Sequence, residues 1–155
     1  MKKLLPFLLA LCCLMFCACA SKPKEKAPIP EAKTLVSELL ASGAFSEDLA
    51  VAEDDVGRFL YALEALNAPG LCFCFSSGAV AEEIAVLPCA DEANAQTAYS
   101  ECGNRLQNLI RLYTEYKPEE VPKLDKAMIL QRGNTVVLCV AADAEKAKAV
   151  LDKYF

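Results

Sequence analysis

The chain has 155 residues and a net charge of −5, from 16 basic and 21 acidic side chains, and it contains no histidine. An acidic chain repels phosphate backbones, so nucleic-acid binding is a poor hypothesis. The missing histidine excludes Ser/His/Asp and Cys/His catalysis.

Residues 1–18 are typical of a bacterial export signal. Lys2 and Lys3 precede an almost wholly apolar run over residues 4–16, which is shorter than the ~20 residues that span a bilayer. The run ends in the frame Phe16-Cys17-Ala18-Cys19. Lipoprotein signals end in an apolar residue, two small residues and a cysteine, although leucine is more usual than Phe16. We therefore expect cleavage before Cys19 and its modification by acyl chains such as palmitate, which anchor a protein stably when there is more than one.

Two alternatives for the leader stay open. The segment Ala18-Cys19-Ala20 also fits the small-x-small site of ordinary signal peptidase, which would release a soluble protein. The leader could also stay uncleaved as an anchor.

After Cys19 the chain is rich in proline and charge up to Glu31. This composition cannot bury a core, so residues 19–31 are predicted to be a lipidated cysteine and an extended tether, on the order of 30 Å long. Residues 32–155 then form a single domain with one core. Its acidity offers no attraction to anionic lipid, so the lipid anchor is the expected membrane contact.

Hydrophobic periodicity and turn residues predict four helices and four strands in this domain. The predicted helices cover residues 32–41, 54–63, 91–116 and 143–154. The predicted strands cover residues 71–76, 82–89, 127–131 and 135–141. Asp91 and Asp143 are typical helix N-caps, Ser46 is a further candidate helix start, and Pro88 indicates a sheet edge or a strand end.

The second half of the chain therefore repeats a strand-strand-helix order. Two hairpins of this kind predict an α+β fold with a four-stranded, mainly antiparallel sheet and helices packed on one face, preceded by N-terminal helices. The turn of the second hairpin is Arg132-Gly133-Asn134, in which Gly and Asn tolerate positive φ.

Several short motifs follow one another along the chain in the order found in a known family. They are Ser76-Ser77-Gly78-Ala79-Val80-Ala81-Glu82-Glu83-Ile84-Ala85-Val86, then Asp91 with Arg105 and Gln107, then Tyr116-Lys117-Pro118-Glu119-Glu120, and Gly133-Asn134-Thr135-Val136. From about Ala32 to the C-terminus the chain resembles the small lipoproteins of Gram-positive bacteria grouped as domain of unknown function 4358. The resemblance implies an exported, lipid-anchored protein and transfers no activity and no catalytic residue.

The polar residues within these motifs form a candidate binding face: Glu82, Arg105, Gln107, Tyr116 and Asn134. Arg105 is expected to pair with a carboxylate on the surface, a weak contact of ~0–1 kcal/mol.

Paired carboxylates are the residues of this sequence that most resemble a catalytic arrangement. Glu82 and Glu83 cannot act as one dyad, because neighbouring strand residues point to opposite faces. Glu119 and Glu120 follow a helix end and are expected to be solvated. No catalytic residue is predicted.

The predicted domain contains five cysteines: Cys72, Cys74, Cys89, Cys102 and Cys139. Outside the cytoplasm an odd number predicts a free thiol or an intermolecular bridge. Cys72 and Cys74 lie two apart on one strand face, roughly 6.5–7 Å between Cα atoms, which is poor geometry for a disulfide. A bridge from either to Cys89 or Cys139 stays open, as does the alternative that all five are small apolar core residues.

The same cysteines are the candidates for redox or metal chemistry. Cys72, Cys74, Cys89 and Cys139 could supply four thiolates to a metal only if their strands were in the right register. The Cys-x-x-Cys motif of thiol-disulfide catalysts is absent. Neither a metal nor a cofactor is expected.

The sequence thus predicts a lipoprotein on the outer face of the cell membrane, with a non-catalytic domain that binds another envelope component. The alternative is an envelope thiol-redox or metal-handling protein that uses Cys72 and Cys74. A solute-binding lipoprotein ranks last, because the domain is small for a two-lobed clamp. The sequence identifies neither the partner protein nor a small-molecule ligand.

Overall fold

The computed structural model describes residues 26–155, so the predicted leader, Cys19 and the first part of the tether lie outside the described residues. The α-helices in this range are α1 Ala32–Ala41, α2 Asp54–Leu60, α3 Glu92–Tyr116, α4 Val121–Leu124 and α5 Ala144–Leu151. The strands in this range are β1 Ala50–Val51, β2 Cys72–Phe75, β3 Glu83–Pro88, β4 Met128–Arg132 and β5 Thr135–Val140. A 3₁₀ turn over Pro118–Glu120 joins α3 to α4.

The strands form one antiparallel sheet in the order β1-β2-β3-β5-β4. The predicted α+β class and antiparallel pairing are confirmed, but the prediction of four strands misses β1. This strand has only two residues, Ala50 and Val51, which is too short to show alternation, and it forms through its pairing with Phe75 and Cys74. The central position of β3 gives its residues a neighbouring strand on each side.

Helices cover both faces of the sheet, so the prediction that they pack on one face is wrong. The α3 face buries Phe73, Ala85, Leu87 and Leu138 among others. The opposite face buries Cys74, Ile84, Val86, Val137 and Cys139 under α1 and α5. Because β3 and β5 carry apolar side chains on both faces, each face has to be covered to remove them from water.

Local signals fix the ends of several elements as predicted. The carboxylate of Asp91 accepts a hydrogen bond from the Asn94 amide and caps α3, and Asp143 caps α5 through the Lys146 amide. Pro88 is the last residue of β3, as expected for a residue without an N–H. The expected helix start at Ser46 is wrong, since no helix begins there and its amide and hydroxyl instead bind Glu82.

Helix α2 lies unusually close to the sheet at Gly57. A Cβ atom built on Gly57 would lie 2.1 Å from Cδ2 of Phe73. The absence of a side chain at this position therefore allows α2 to pack directly on the Phe73 ring.

The end of the predicted tether is hydrogen-bonded to the domain. The Ala27 amide donates to the Lys153 carbonyl at 2.9 Å, and the Arg132 guanidinium donates to the Ala27 carbonyl at 2.6 Å. Arg132 pairs with Thr135, which pairs with Pro88, so this contact lies at the end of the sheet where β3 terminates. None of the helices found between residues 26 and 155 has the length and apolar character needed to cross a bilayer.

Candidate functional site

The start of β3 carries two buried acidic residues. Glu82 precedes the strand, Glu83 is its first residue, and both side chains are buried. A buried carboxylate requires a cation or several hydrogen bonds to offset the loss of water. Each of these glutamates has its own set of partners.

Glu83 forms a two-pronged ion pair with Arg105 of α3. The Arg105 Nη2 lies 2.7 Å from Oε2 of Glu83, and its Nε lies 3.1 Å from Oε1. The Tyr61 hydroxyl also donates to Oε1 at 2.8 Å. The guanidinium carbon lies 5.7 Å from the centroid of the Tyr61 ring and 5.8 Å from that of Phe75, so cation–π contacts add to the ion pair.

This arrangement keeps Arg105 charged and Tyr61 neutral. Burial, followed by the negative charge of Glu83, raises the pKa of the Tyr61 phenol well above its ordinary value. Burial opposes the charge on Arg105, but the hydrogen bond and charge of Glu83 outweigh it and raise the pKa of the guanidinium. The expected partner of Arg105 is thus a carboxylate, but the pair is buried rather than on the surface.

Glu82 belongs to a second network of hydrogen bonds and ion pairs, which is separate from that of Glu83. Its carboxylate accepts from the Ser46 amide at 2.8 Å, from the Ser46 hydroxyl at 2.5 Å and from Nζ of Lys123 at 2.7 Å. Lys123 also bonds Glu120 at 2.8 Å, and Glu120 accepts from the Ala81 amide. The network connects the segment before β1 and helix α4 to the start of β3.

The expectation that Glu120 is solvated is wrong. Its side chain is buried, because the 3₁₀ turn after Pro118 folds it back against Ala81. Burial by itself would raise the pKa of this carboxyl, but the hydrogen bonds from Lys123 and Ala81 lower it overall.

The loop between β2 and β3 is held against α3 by backbone carbonyl contacts. The Tyr113 hydroxyl contacts the carbonyls of Val80 at 2.6 Å and Gly78 at 3.2 Å, and Nζ of Lys117 donates to the Ala79 carbonyl at 2.8 Å. Gly78 has a φ of +89°, a conformation that side chains rarely adopt. The loop forms one wall of an open pocket.

The pocket has a volume of about 250 Å³ and lies between α2, α3 and this loop. Its inner wall includes Glu83, Arg105, Phe75 and Leu109. Leu60 and Leu112 stand at its mouth and are 36% and 57% exposed. The pocket therefore combines an internally neutralised ion pair with an apolar opening, a combination suited to binding an apolar group.

The predicted polar face is not one surface. Arg105 lines the pocket, Glu82 lies at its base within the second network, and the exposed Tyr116 lies beside Tyr113 with 6.4 Å between ring centroids. Gln107 is exposed two residues after Arg105, which places it on another side of α3. Asn134 lies in the β4–β5 turn, where its amide group donates to the Ala90 carbonyl at the opposite end of the sheet.

The five cysteines of the described range are buried free thiols. Cys72, Cys74 and Cys139 lie on the α1 face of the sheet, whereas Cys89 and Cys102 lie on the α3 face. Burial raises the pKa of Cys74 and of Cys139 to about 12. A four-thiolate site that includes Cys89 is therefore not assembled, and residues 26–155 contain no cluster of three or more cysteine or acidic side chains suited to hold a metal.

Several site residues were not among the predicted binding residues, namely Tyr61, Glu83, Tyr113, Glu120 and Lys123. Glu83 carried a weak signal, because it directly precedes the apolar run over residues 84–87, where a buried carboxylate would need a cation. The other four reach the site only through tertiary packing between segments that are distant in the chain. Tyr61 lies 22 residues from Glu83, and Lys123 lies 41 residues from Glu82.

Comparison with known proteins places this fold and pocket in a family. Searches of curated proteins and of solved structures gave no significant match. The family model described as a domain of unknown function (DUF4358) matches residues 49–141, a range that includes every pocket-lining residue named above. The match is shorter than the resemblance from Ala32 to the C-terminus, but it spans more than half of the chain. The chain therefore belongs to the family of domain of unknown function 4358.

Proposed function

We propose that this protein is exported, lipidated at Cys19 and held on the outer face of the cell membrane, where its domain is a non-catalytic binding module for another envelope protein. The observation that carries the binding role is the pocket over Glu83 and Arg105, with exposed apolar side chains at its mouth. Large apolar groups that remain exposed around a concave site are typical of binding surfaces.

The polar groups of the pocket favour binding over catalysis. The carboxylate of Glu83 already accepts from Arg105 and Tyr61, and the Tyr113 hydroxyl is engaged by the Val80 carbonyl. A general base requires a free lone pair and a pKa near the working pH. These groups stabilise the fold through their hydrogen bonds instead.

The position of the pocket suits an anchored protein. The chain contacts the domain at Ala27, at the Pro88 end of the sheet, whereas the pocket lies beside Glu83 at the other end of β3. A lipid at Cys19 would be separated from the Ala27 contact by eight residues, at most about 28 Å when fully extended. The pocket would then face away from the bilayer and towards other envelope proteins.

Anchoring is tested with Cys19→Ser in the native host, with Cys17→Ser as the matched leader control. We expect the wild type and Cys17→Ser in the membrane fraction with an acylated N-terminal cysteine by mass spectrometry, and Cys19→Ser without either property. An unmodified chain that starts at Ser21, or one that retains residues 1–18, would show that the anchor is wrong.

Binding is tested with a photo-crosslinking amino acid at position 112, at the mouth of the pocket, and at position 107 on another side of α3. We expect position 112 to capture the same envelope protein in repeated experiments, and position 107 not to capture it. Equal capture at both positions, or none at either, would contradict a binding role for the pocket.

A further inference from the structure

We propose that the partner presents a basic amphipathic α-helix to the pocket, with one large apolar side chain inside it and lysine or arginine residues facing the carboxylates beside it. This proposal rests on the proposed binding role and adds the chemistry of the partner. It follows from the apolar surface, the charges around it and the size of the pocket.

Further exposed apolar side chains lie on both helices that border the pocket. On α2, Val56, Phe59 and Leu60 follow a three- and four-residue spacing, and Phe59 is 73% exposed. On α3, Leu112 and Tyr116 lie one turn apart, and Tyr116 is 67% exposed. Two helices with a groove between them form the surface on which a third helix packs by its side-chain ridges.

The pocket is small, at about 250 Å³. Sites for small-molecule ligands usually have roughly 300–1,000 Å³. A single large apolar side chain from a macromolecule suits this volume better than a whole cofactor, and it would serve as the central anchor of a larger interface.

The charges beside the apolar surface are negative. Glu53 and Asp55 are exposed at the start of α2, and Glu115 is exposed between Leu112 and Tyr116. Among residues 26–155 no salt bridge includes any of the three. A partner with positive charge around its apolar stripe complements this arrangement.

The neighbouring cations are engaged within the domain. The guanidinium of Arg105 binds Glu83, that of Arg58 binds Asp54, and Nζ of Lys117 lies 3.6 Å from Oε1 of Glu120. Arg111 lies beside Leu112 and donates to Asn108. Because Asn108 is neutral, Arg111 keeps its positive charge, but the three exposed carboxylates outnumber it and leave this surface with a net negative charge.

A helix suits this site better than an extended peptide. The loop carbonyls at the pocket, Gly78, Ala79 and Val80, already accept from Tyr113 or Lys117 and are poor partners for an added strand. A helix satisfies its own backbone groups and needs only side-chain contacts. A second copy of the chain fits less well, because two acidic surfaces would repel each other.

The test measures binding of a defined helical probe to the mature full chain in nanodiscs of zwitterionic lipid, with empty nanodiscs as the baseline. The probe is a fluorescent peptide of leucine, alanine and lysine, with leucines at three- and four-residue spacing. We expect saturable binding that weakens at least about tenfold for Leu112→Asn, an exposed position at the mouth. The matched control is Tyr99→Asn, an exposed apolar position on α3 about 20 Å from Leu112 along the helix, which should leave binding unchanged.

Charge is tested separately by replacing every lysine of the peptide with glutamate, which should weaken binding at least about tenfold. Three results would overturn the helix proposal: equal binding of the lysine and glutamate peptides, an equal loss of affinity in Leu112→Asn and Tyr99→Asn, or no saturable binding. If position 112 still crosslinks an envelope protein in that case, the binding role stands and only the partner's chemistry is wrong. A crosslinked dimer of this chain at position 112 would instead identify a second copy as the occupant.

Discussion

Glu82 and Glu83 are adjacent in the chain, yet their carboxylates bind different cations. Glu83 binds Arg105 of α3 and the Tyr61 hydroxyl, and Glu82 binds Lys123 of α4 and Ser46. Helices α3 and α4 and the segment before β1 are thus connected to the same end of the central strand. In residues 26–155 no buried side-chain nitrogen or oxygen lacks a hydrogen-bond partner.

Removing the cation from Glu83 should destabilise the fold strongly. Arg105→Met leaves a carboxylate that is only 5% exposed without its charge partner. Loss of one partner from a buried ion pair destabilises proteins by roughly 3–5 kcal/mol, so we expect a loss of about 3 kcal/mol in the free energy of unfolding. Urea denaturation followed by circular dichroism measures it.

The matched control is Gln107→Met, an exposed position on the same helix, which should change stability by less than about 0.5 kcal/mol. The double variant Glu83→Leu/Arg105→Met removes both charges and should recover much of the loss. A loss below 1 kcal/mol for Arg105→Met alone would mean that the pair behaves as a solvated surface contact.

Gly57 should not tolerate even one additional methyl group. In Gly57→Ala the new Cβ would overlap the Phe73 ring, with three ring atoms within 2.5 Å. Because α2 has to move off the sheet or Phe73 has to leave its rotamer, we expect a loss of roughly 1–3 kcal/mol. The thermal unfolding midpoint should fall by several degrees, measured by calorimetry.

Gly103 provides the opposite case on a helix of the same domain. It lies within α3, and apart from the adjoining helix backbone a Cβ there would meet no atom within 4 Å. Gly103→Ala should therefore stabilise the protein by roughly 0.4–1 kcal/mol, since alanine favours the helix and restricts the unfolded chain. Similar effects of both substitutions would contradict the close approach at Gly57.

The elements predicted best are those fixed by local interactions. Helix α1 has the predicted bounds, because its apolar spacing is uninterrupted up to Ala41. Asp91 caps α3 through an amide only three residues away, so the signal and its effect lie in the same turn. The β4–β5 hairpin forms around Gly133, whose φ of +55° suits glycine.

The features that could not be predicted depend on residues far apart in the chain. Glu120 is acidic and follows a helix end, features typical of a solvated turn. Its carboxylate is nevertheless buried, where it accepts a hydrogen bond from the Ala81 amide, 39 residues away in the chain. The partner of Arg105 was expected to be a carboxylate, but burial of the pair depends on the rings of Tyr61 and Phe75 that cover it. No local pattern near Arg105 contains that information.

The buried thiols should be unreactive in the folded protein. With Cys72, Cys74, Cys89, Cys102 and Cys139 all buried, a disulfide reagent at pH 8 should modify the mature chain slowly and should modify all five rapidly in denaturant. Absorbance of the released thiolate measures both rates. Rapid reaction of Cys72 and Cys74 in the folded state would instead favour the redox alternative.

Alkaline pH should destabilise the protein well before its lysines titrate. Burial raises the pKa of Cys74 and Cys139 to about 12, whereas an exposed thiol in the unfolded chain has a pKa near ~8.5. A folded-state pKa above the unfolded value contributes stability that is complete below pH ~8.5 and is lost as the pH rises towards 12. Each thiol should contribute a slope on the order of 1 kcal/mol per pH unit in that window, with the buried Tyr61 phenol adding to it above pH ~10.

Urea midpoints measured from pH 7 to pH 10.5 should therefore fall steadily above pH ~8.5. Cys139→Ala removes one of the responsible thiols, so its midpoint should start lower at pH 7 and fall less steeply than that of the wild type. A substitution at an exposed lysine such as Lys148→Gln should leave the slope unchanged. If the wild-type midpoint stayed constant across this range, thiolate formation would not be linked to unfolding, and the two cysteines would have to be accessible to water in the folded state.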